Sequence, residues 1–249
     1  MENLSYRFQA KISNKEDDIL LAQQLRSLVF RKSSSVIDTD IFDNKCQHIL
    51  VVDKEEKKVV CVFRIMKLEN GDEIEKSYSS QFYDLSKLRK IANPLLEMGR
   101  FCIHPDYKTP DILVIAWATL INFVKKNKVS FIFGCSSFHG LEIKDHQDAF
   151  MFLKKNHLAP RKYKPYIKSP QIFNFSKHFR YKRQKNINLG IVNKTLPPLL
   201  RYYLSLGGWV SDHAVMDFDL KTLHVFTGLN IKSIPTKRMK FLQRIAMSI

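Results

Sequence analysis

The sequence predicts an α/β fold, and three observations carry that expectation. Residues 95–103 read as a strand, 112–124 as a helix apolar on nearly every face, and 129–134 as a short apolar strand. Strand, buried helix and strand in close succession make a βαβ crossover with parallel or splayed strands. Hydrophobic residues are 45% of the chain, enough to bury a core, which excludes wholesale disorder. The 249 residues suit one large domain, 1–249, or a domain with an extension.

The elements follow in order. Tyr6, Phe8, Ala10 and Ile12 alternate with Arg7, Gln9 and Lys11, the period of a half-buried strand. A helix is expected next, with Ser13 or Asn14 as N-cap, acidic Glu16, Asp17 and Asp18 in its first turn, and Ala22 and Leu25 on its apolar side. Residues 33–40 read as loop. Two strands, 48–53 and 58–68, flank the charged turn Lys54-Glu55-Glu56-Lys57. A short helix is expected near 85–92, and Pro94 opens the strand 95–103. Thr109 is a good N-cap for the long helix, with Pro110 at its first position and Asp111 complementing the dipole. A further helix falls near 146–156. Pro160, Pro165 and Pro170 then argue against a long helix. Residues 196–206 read as a helix ended by Gly207-Gly208, and 214–218 and 224–230 as strands.

Charge is unevenly spread. Lys and Arg number 41 against 24 Asp and Glu, a net +17. From Ala149 to Ser211 there are thirteen Lys and Arg and no acidic residue, whereas residues 1–148 are close to balance. Such a field attracts nucleic acid, anionic lipid or an acidic protein. No nucleic-acid motif accompanies it, so nucleic acid is not expected as a partner. No apolar run approaches the roughly 20 residues of a membrane-spanning helix. The N-terminus has no leader pattern, and the four cysteines form no CxxC pair. A cytoplasmic protein without a metal site is the expectation.

Three constellations could carry chemistry. Glu97 and Arg100 interrupt an apolar strand, and buried charges are costly unless paired. Residues three apart point to opposite faces of a regular strand, but a bulge at Gly99 would bring both to one face. They read as a base with a cationic partner, or as a structural ion pair. The loop carrying Asp38, Asp40 and Asp43, just before His48, reads as an electronegative pocket for an amine or as a solvated loop. It lacks the glycine and distal glutamate of a calcium loop. The stretch Gly134-Cys135-Ser136-Ser137-Phe138-His139-Gly140 reads as small residues lining a cleft at the end of a strand. A thiol nucleophile at Cys135 is the weaker alternative, since no third group orients His139.

In order, Asp40–His48, Val60–Arg64, Leu96–Tyr107, Phe133–Gly140 and the tail Leu196–Val210 resemble the hemolysin-related branch of the GNAT acyltransferases. Within it the similarity is to the L-ornithine Nα-acyltransferases that begin ornithine-lipid synthesis. The acidic loop and the Glu-x-x-Arg strand are also similar to acyl-homoserine-lactone synthases. The resemblance implies a GNAT-type fold, with a mixed central sheet, splayed parallel strands and flanking helices. It implies a basic insertion at about 154–195, followed by a C-terminal helix and strands at about 196–232.

The implied reaction moves a 3-hydroxyacyl chain from the phosphopantetheine thioester of acyl carrier protein to the α-amine of L-ornithine, giving lyso-ornithine lipid. No metal or bound redox cofactor is implied, and an O-acyltransferase would act on the product. The alternatives are another amine acceptor, or a catalytically silent basic module that binds membrane. Glu97 is the expected proton acceptor, with Arg100 orienting it or binding the substrate carboxylate. Substrate-binding residues are then Asp38, Asp40, Asp43, His48, Arg64, Phe101, Cys102, Cys135 and Ser136. Backbone N–H groups near Phe101 or Cys102 could stabilise the oxyanion. At the start of the long helix, Lys108-Thr109-Pro110-Asp111-Ile112 lacks the glycine-rich turn with which many GNAT enzymes hold coenzyme A, and Asp111 would repel phosphate. That favours a carrier-protein donor. Lys162, Lys164 and Arg180 are the expected docking residues for it, with an anionic membrane surface as a second, peripheral partner on the inner face of the cell membrane.

Overall fold

A computed structural model describes residues 7–32, 35–179 and 187–248. In chain order the first half contains β1 (Phe8–Ser13), α1 (Glu16–Arg26), β2 (Gln47–Asp53), β3 (Lys58–Leu68), β4 (Tyr83–Asp84), β5 (Leu95–Ile103), α2 (Pro110–Lys126) and β6 (Phe131–His139). The second half contains α3 (Gln147–Asn156), β7 (Tyr166–Ile167), β8 (Ile172–Asn174), α4 (Phe175–His178), α5 (Leu189–Thr195), α6 (Pro198–Ser205), β9 (Trp209–Asp217), β10 (Thr222–Asn230) and α7 (Thr236–Ala246). The class is α/β, as expected. The elements gather into two compact units, each assembled from separated segments.

The first unit takes Met1–Lys67, Leu96–Ser130 and Pro235–Ile249. Its strands run in the order β1-β2-β3-β5. β1 lies antiparallel to β2, and β2 to β3, with His48 opposite Arg64 and Gln47 opposite Ile65. Side chains alternate between faces along a strand. On the face that includes His48 and Arg64, Leu50, Val62 and Cys102 pack against Ala22 and Leu25 of α1. The opposite face, with Gln47 and Ile65, meets α2. Thr109 caps α2 by accepting a hydrogen bond from Asp111 N, as its sequence predicts. The all-round apolar character of α2 has its reason in α7, which packs on it and buries Leu242 and Ile245. The N-cap of α1 differs from expectation. Lys15 occupies it without a side-chain bond, and Ser13 Oγ instead accepts from Lys15 N at 3.2 Å.

The second unit takes Leu68–Leu95 and Phe131–Ile234. Its antiparallel strands run β6-β10-β9-β8, and β4 pairs separately with β7. Phe138, Phe150, Phe173 and Phe175 form its aromatic core with the apolar sides of α3 and β10. The basic stretch 154–195 folds here as short pieces, and among its described residues the longest helix is the seven-residue α5, in keeping with the three prolines. After α6 the chain reverses at Gly207, whose φ of +89 suits only glycine, and Gly208 N donates to Tyr203 O at 2.9 Å.

Candidate active site

The aspartate loop and the Glu-x-x-Arg strand meet in the first unit, on the α1 face of its sheet. Arg26, at the last turn of α1, is 1% exposed. It bonds Asp38 Oδ2 through Nε at 2.8 Å and Asp43 Oδ1 through Nη1 at 2.6 Å. Arg64, on β3, bonds Asp40 Oδ2 through Nη2 at 2.8 Å and Asp43 Oδ1 through Nη1 at 2.6 Å. Arg100 Nη2 bonds the same Asp40 Oδ2 at 2.8 Å. Arg31 reaches Asp38 at 3.1 Å, and Gln23 donates to Asp43 Oδ2 at 3.0 Å. Three carboxylates and four guanidinium groups therefore form one network.

The network sets its own ionisation. Burial alone would raise the pKa of Asp43, but the Arg26 guanidinium overrides it and holds the carboxyl well below the usual range. Asp40 is depressed in the same way by Arg64 and Arg100, against burial. Arg64 loses hydration on burial, yet its bonds to Asp40 raise its pKa further. His48 is buried and its pKa falls, so the ring is neutral, and its Nε2 donates to the Asp43 carbonyl at 3.1 Å. Burial pushes the Cys46 thiol up to about 12, and Glu97 is among the charges that act on it. The Cys102 thiol is likewise pushed up to about 12 by burial. Both stay protonated at neutral pH.

β5 departs from a regular pleat where the two charges stand. A Cβ at Gly99 would lie 3.8 Å from Arg64 Nε, so Gly99 faces the network, and the next residue, Arg100, faces it as well. Two consecutive residues on one side are what a bulge produces. The left-handed residue is Arg100, with a φ of 55, rather than Gly99. Alternation then returns Glu97, which is 5% exposed, to the side of Gly99 and Arg100. Phe101 points elsewhere, its ring 5.3 Å from that of Phe63.

Cys135 and Ser136 belong to the second unit. The sequence reading ends their strand at Gly134, but β6 continues to His139. Cys135 and His139 are thus four residues apart on an extended strand, about 13 Å by strand rise, too far for proton transfer. Ser79 Oγ and Cys135 Sγ are 3.5 Å apart, and Ser136 Oγ accepts from Thr227 Oγ1 at 2.9 Å. Lys162 is exposed beside the Tyr163 ring, whereas Lys164 pairs with Asp212 at 2.5 Å. Arg180 lies outside the described residues.

Sequence reasoning missed the residues that hold the loop. Arg26 closes a helix that looks merely amphipathic and Arg31 lies on the turn just beyond it, and the signal was the loop itself, since three clustered carboxylates need cations. It also missed a buried polar group in the second unit. There Tyr83 OH donates to the His224 carbonyl at 2.8 Å, and His213 Nδ1 bonds Asp212 Oδ1 at 2.9 Å.

Residues 25–118 match the acetyltransferase (GNAT) domain. The chain is 26% identical to an L-ornithine N(alpha)-acyltransferase of Rhodobacter capsulatus, over 95% of each. It is 28% identical to one from Brucella abortus, over 94% of this chain and 88% of the other. The structure of an N-acyl amino acid synthase from uncultured soil microbes shares the fold, with a TM-score of 0.53 over 92% of this chain and 93% of that one, at 9% identity.

Proposed function

Proceeding from a GNAT acyltransferase domain, we propose that this chain is an N-acyltransferase whose acceptor is the α-amine of L-ornithine. The observation that carries the acceptor is similarity to relatives of that name along nearly the whole chain, with 95% of both sequences matched in one case. The donor we propose is a 3-hydroxyacyl thioester on the phosphopantetheine of acyl carrier protein, a co-substrate rather than a bound cofactor. The product is then lyso-ornithine lipid, the substrate of an O-acyltransferase.

The network divides the labour. The side chains of Asp38 and Asp43 are 1% and 2% exposed and spend their charge on Arg26, Arg31 and Arg64. Arg31 keeps 25% exposure beside Asp38, and Asp40 and Arg100 keep some exposure, at 19% and 10%, on the β5 side of the network. An amino acid presents an ammonium and a carboxylate, and this pair offers the complementary charges. An ammonium must lose a proton before it attacks a thioester, and Glu97, on the same face, is the acceptor, directly or through one water. The amine nitrogen then bonds to the acyl carbon, the thiolate of the carrier leaves, and it takes up a proton.

Lipid mass spectrometry of bacteria expressing the chain tests this reading. A new lyso-ornithine lipid that disappears with Glu97→Gln is expected. An acyl amide of a different amine would overturn the acceptor, and no amide at all would overturn the activity. In vitro, transfer from acyl carrier protein should exceed transfer from the same acyl group on coenzyme A, and the reverse order would overturn the donor.

A further inference from the structure

The cations of this chain are not confined to the second unit. In the first unit, α7 packs on α2 and buries Leu242 and Ile245. Its outward side follows from helical spacing. Lys237, Lys240, Arg244 and Met247 are three, four and three positions apart, which sets them in one row on the side away from Leu242. Met247 belongs to the row because this C-cap residue keeps helical backbone angles. All four are exposed, Met247 at 80%.

Nothing within the chain answers this charge. Neither Asp nor Glu occurs anywhere from Leu220 to Ile249. Among the described residues, none of Lys237, Arg238, Lys240 and Arg244 pairs with a carboxylate. Two of these cations stand where a helix disfavours them. Lys237 and Arg238 are in the first turn of α7, at the positive end of its dipole, with no acid beside them. Local helix energetics therefore do not account for the row. More charge comes from α2. Ala246 and Lys126 line one cavity, so the two helices end side by side, and Lys125, Lys126 and Lys128 are exposed there. Those three complement the α2 dipole and need no further reason, but they add to the same field.

The apolar end of the row indicates which anion it meets. Met247 stands in water, and the Arg244 guanidinium lies 6.0 Å over the half-buried Phe241 ring. A nucleic-acid backbone would meet the cations and gain nothing from an exposed thioether. An acidic protein would match it only with a pocket in the right place. A bilayer meets both at once, because headgroup phosphates take up Lys and Arg while the acyl boundary beneath takes up an apolar side chain.

We propose that the outer face of α7, with the adjoining end of α2, docks on an anionic lipid bilayer. Lys237, Lys240 and Arg244 lie among the headgroups, and Met247 enters the interface. The sequence reading looked for such a surface in the stretch 154–195, on the second unit. The inference does not depend on the acyl-transfer reading, since it uses no side chain of the Asp–Arg network.

The test is sedimentation of the full-length protein with phosphatidylcholine vesicles, made with and without phosphatidylglycerol. Binding to the anionic vesicles at least tenfold stronger than to the neutral ones is expected, and it should weaken as salt rises. Lys237→Gln, Lys240→Gln and Arg244→Gln together should weaken it about tenfold or more, with the melting curve unchanged, because glutamine suits an exposed helix position. Lys155→Gln, Lys162→Gln and Lys177→Gln remove as much charge from the second unit and should change binding less than twofold. An equal loss in that control would overturn the proposal, as would unaltered binding by the folded α7 variant. Met247→Trp gives a second readout that needs no charge change. Its emission should shift to the blue with anionic vesicles, and an unshifted spectrum with bound protein would overturn the insertion of this end. Stronger binding to a DNA duplex or to polyglutamate than to the anionic vesicles, lost in the α7 variant, would overturn the bilayer as the occupant. Loss of acyl transfer with intact vesicle binding would count against the enzyme reading alone.

Discussion

Arg26 holds a charge almost out of contact with water. A guanidinium that is 1% exposed has given up its hydration and depends on Asp38 and Asp43 in return. Truncating it to alanine leaves both carboxylates short of a buried partner, so Arg26→Ala should cost about 3–5 kcal/mol in urea unfolding. A loss below about 1 kcal/mol would show that Arg31 and Arg64 suffice. Glu97→Gln asks a different question, because it keeps shape and removes basicity. Turnover should fall on the order of 10²–10⁴-fold with an unchanged melting curve, and near-normal turnover by a folded variant would remove Glu97 from the reaction. Asp212 supplies a pH test. Burial would raise its pKa, but bonds from His213 and Lys164 bring it down to about 2. A depressed carboxyl stabilises the fold above its unfolded pKa, near 3.9, and that contribution is lost as pH falls towards 2. Urea midpoints measured between pH 5 and pH 2.5 should therefore drop less steeply for Asp212→Asn than for the unaltered chain. At this scale the sequence showed which residues are charged in apolar surroundings, Glu97 and Arg100 above all. It could not show the pairings, because Asp40 and Arg100 are sixty positions apart and only the fold brings them together.

Elements with strong local signals were legible in outline, and those that rely on tertiary partners were not. β5 matches its expected bounds, since Pro94 and the turn at His104–Tyr107 punctuate an apolar run. α2 follows from Thr109, Pro110 and its apolar content. β6 was read five residues short, because Gly134, Ser136 and Ser137 have weak strand propensity. Pairing with β10 holds the strand to His139, with Phe226 opposite Cys135 and Thr222 opposite His139. α7 was not anticipated at all. Its apolar residues Met239, Phe241, Leu242, Ile245 and Ala246 are interspersed with Lys237, Arg238, Lys240 and Arg244, so the segment resembles a solvated tail. Packing on α2 supplies what propensity does not. Leu242, at 0% exposure, should then be a stability residue, and Leu242→Ala should cost about 2–5 kcal/mol in chemical denaturation. Met247→Ala, one residue beyond the helix and 80% exposed, should change stability by less than about 0.5 kcal/mol. Equal effects of the two would mean that α7 is not packed in solution.

At the scale of the whole molecule the charge distribution remains the least local property, and it has a kinetic consequence. The net +17 is concentrated between Ala149 and Ser211, and the structure shows that part of it is neutralised internally. Lys164 is held by Asp212, and Lys168 lies 3.8 Å from Glu75. Lys155, Lys162 and Lys177 are exposed on the second unit and represent the charge that faces solvent. If the donor is an acidic carrier protein, as we propose, this field acts mainly on the encounter. Complementary charge raises the association rate more than it raises affinity, and salt screens it over a Debye length of about 8–10 Å. The apparent KM for acyl carrier protein should therefore rise steeply between low and physiological salt, while kcat changes little. Lys155→Glu, Lys162→Glu and Lys177→Glu together should raise KM at low salt and flatten its salt dependence. Replacing Lys164 would confuse the test, because a glutamate there faces Asp212 and perturbs the fold. Steady-state kinetics with acyl carrier protein at several ionic strengths would decide it, and a triple variant with the KM and salt slope of the unaltered chain would show that this charge has no part in donor capture.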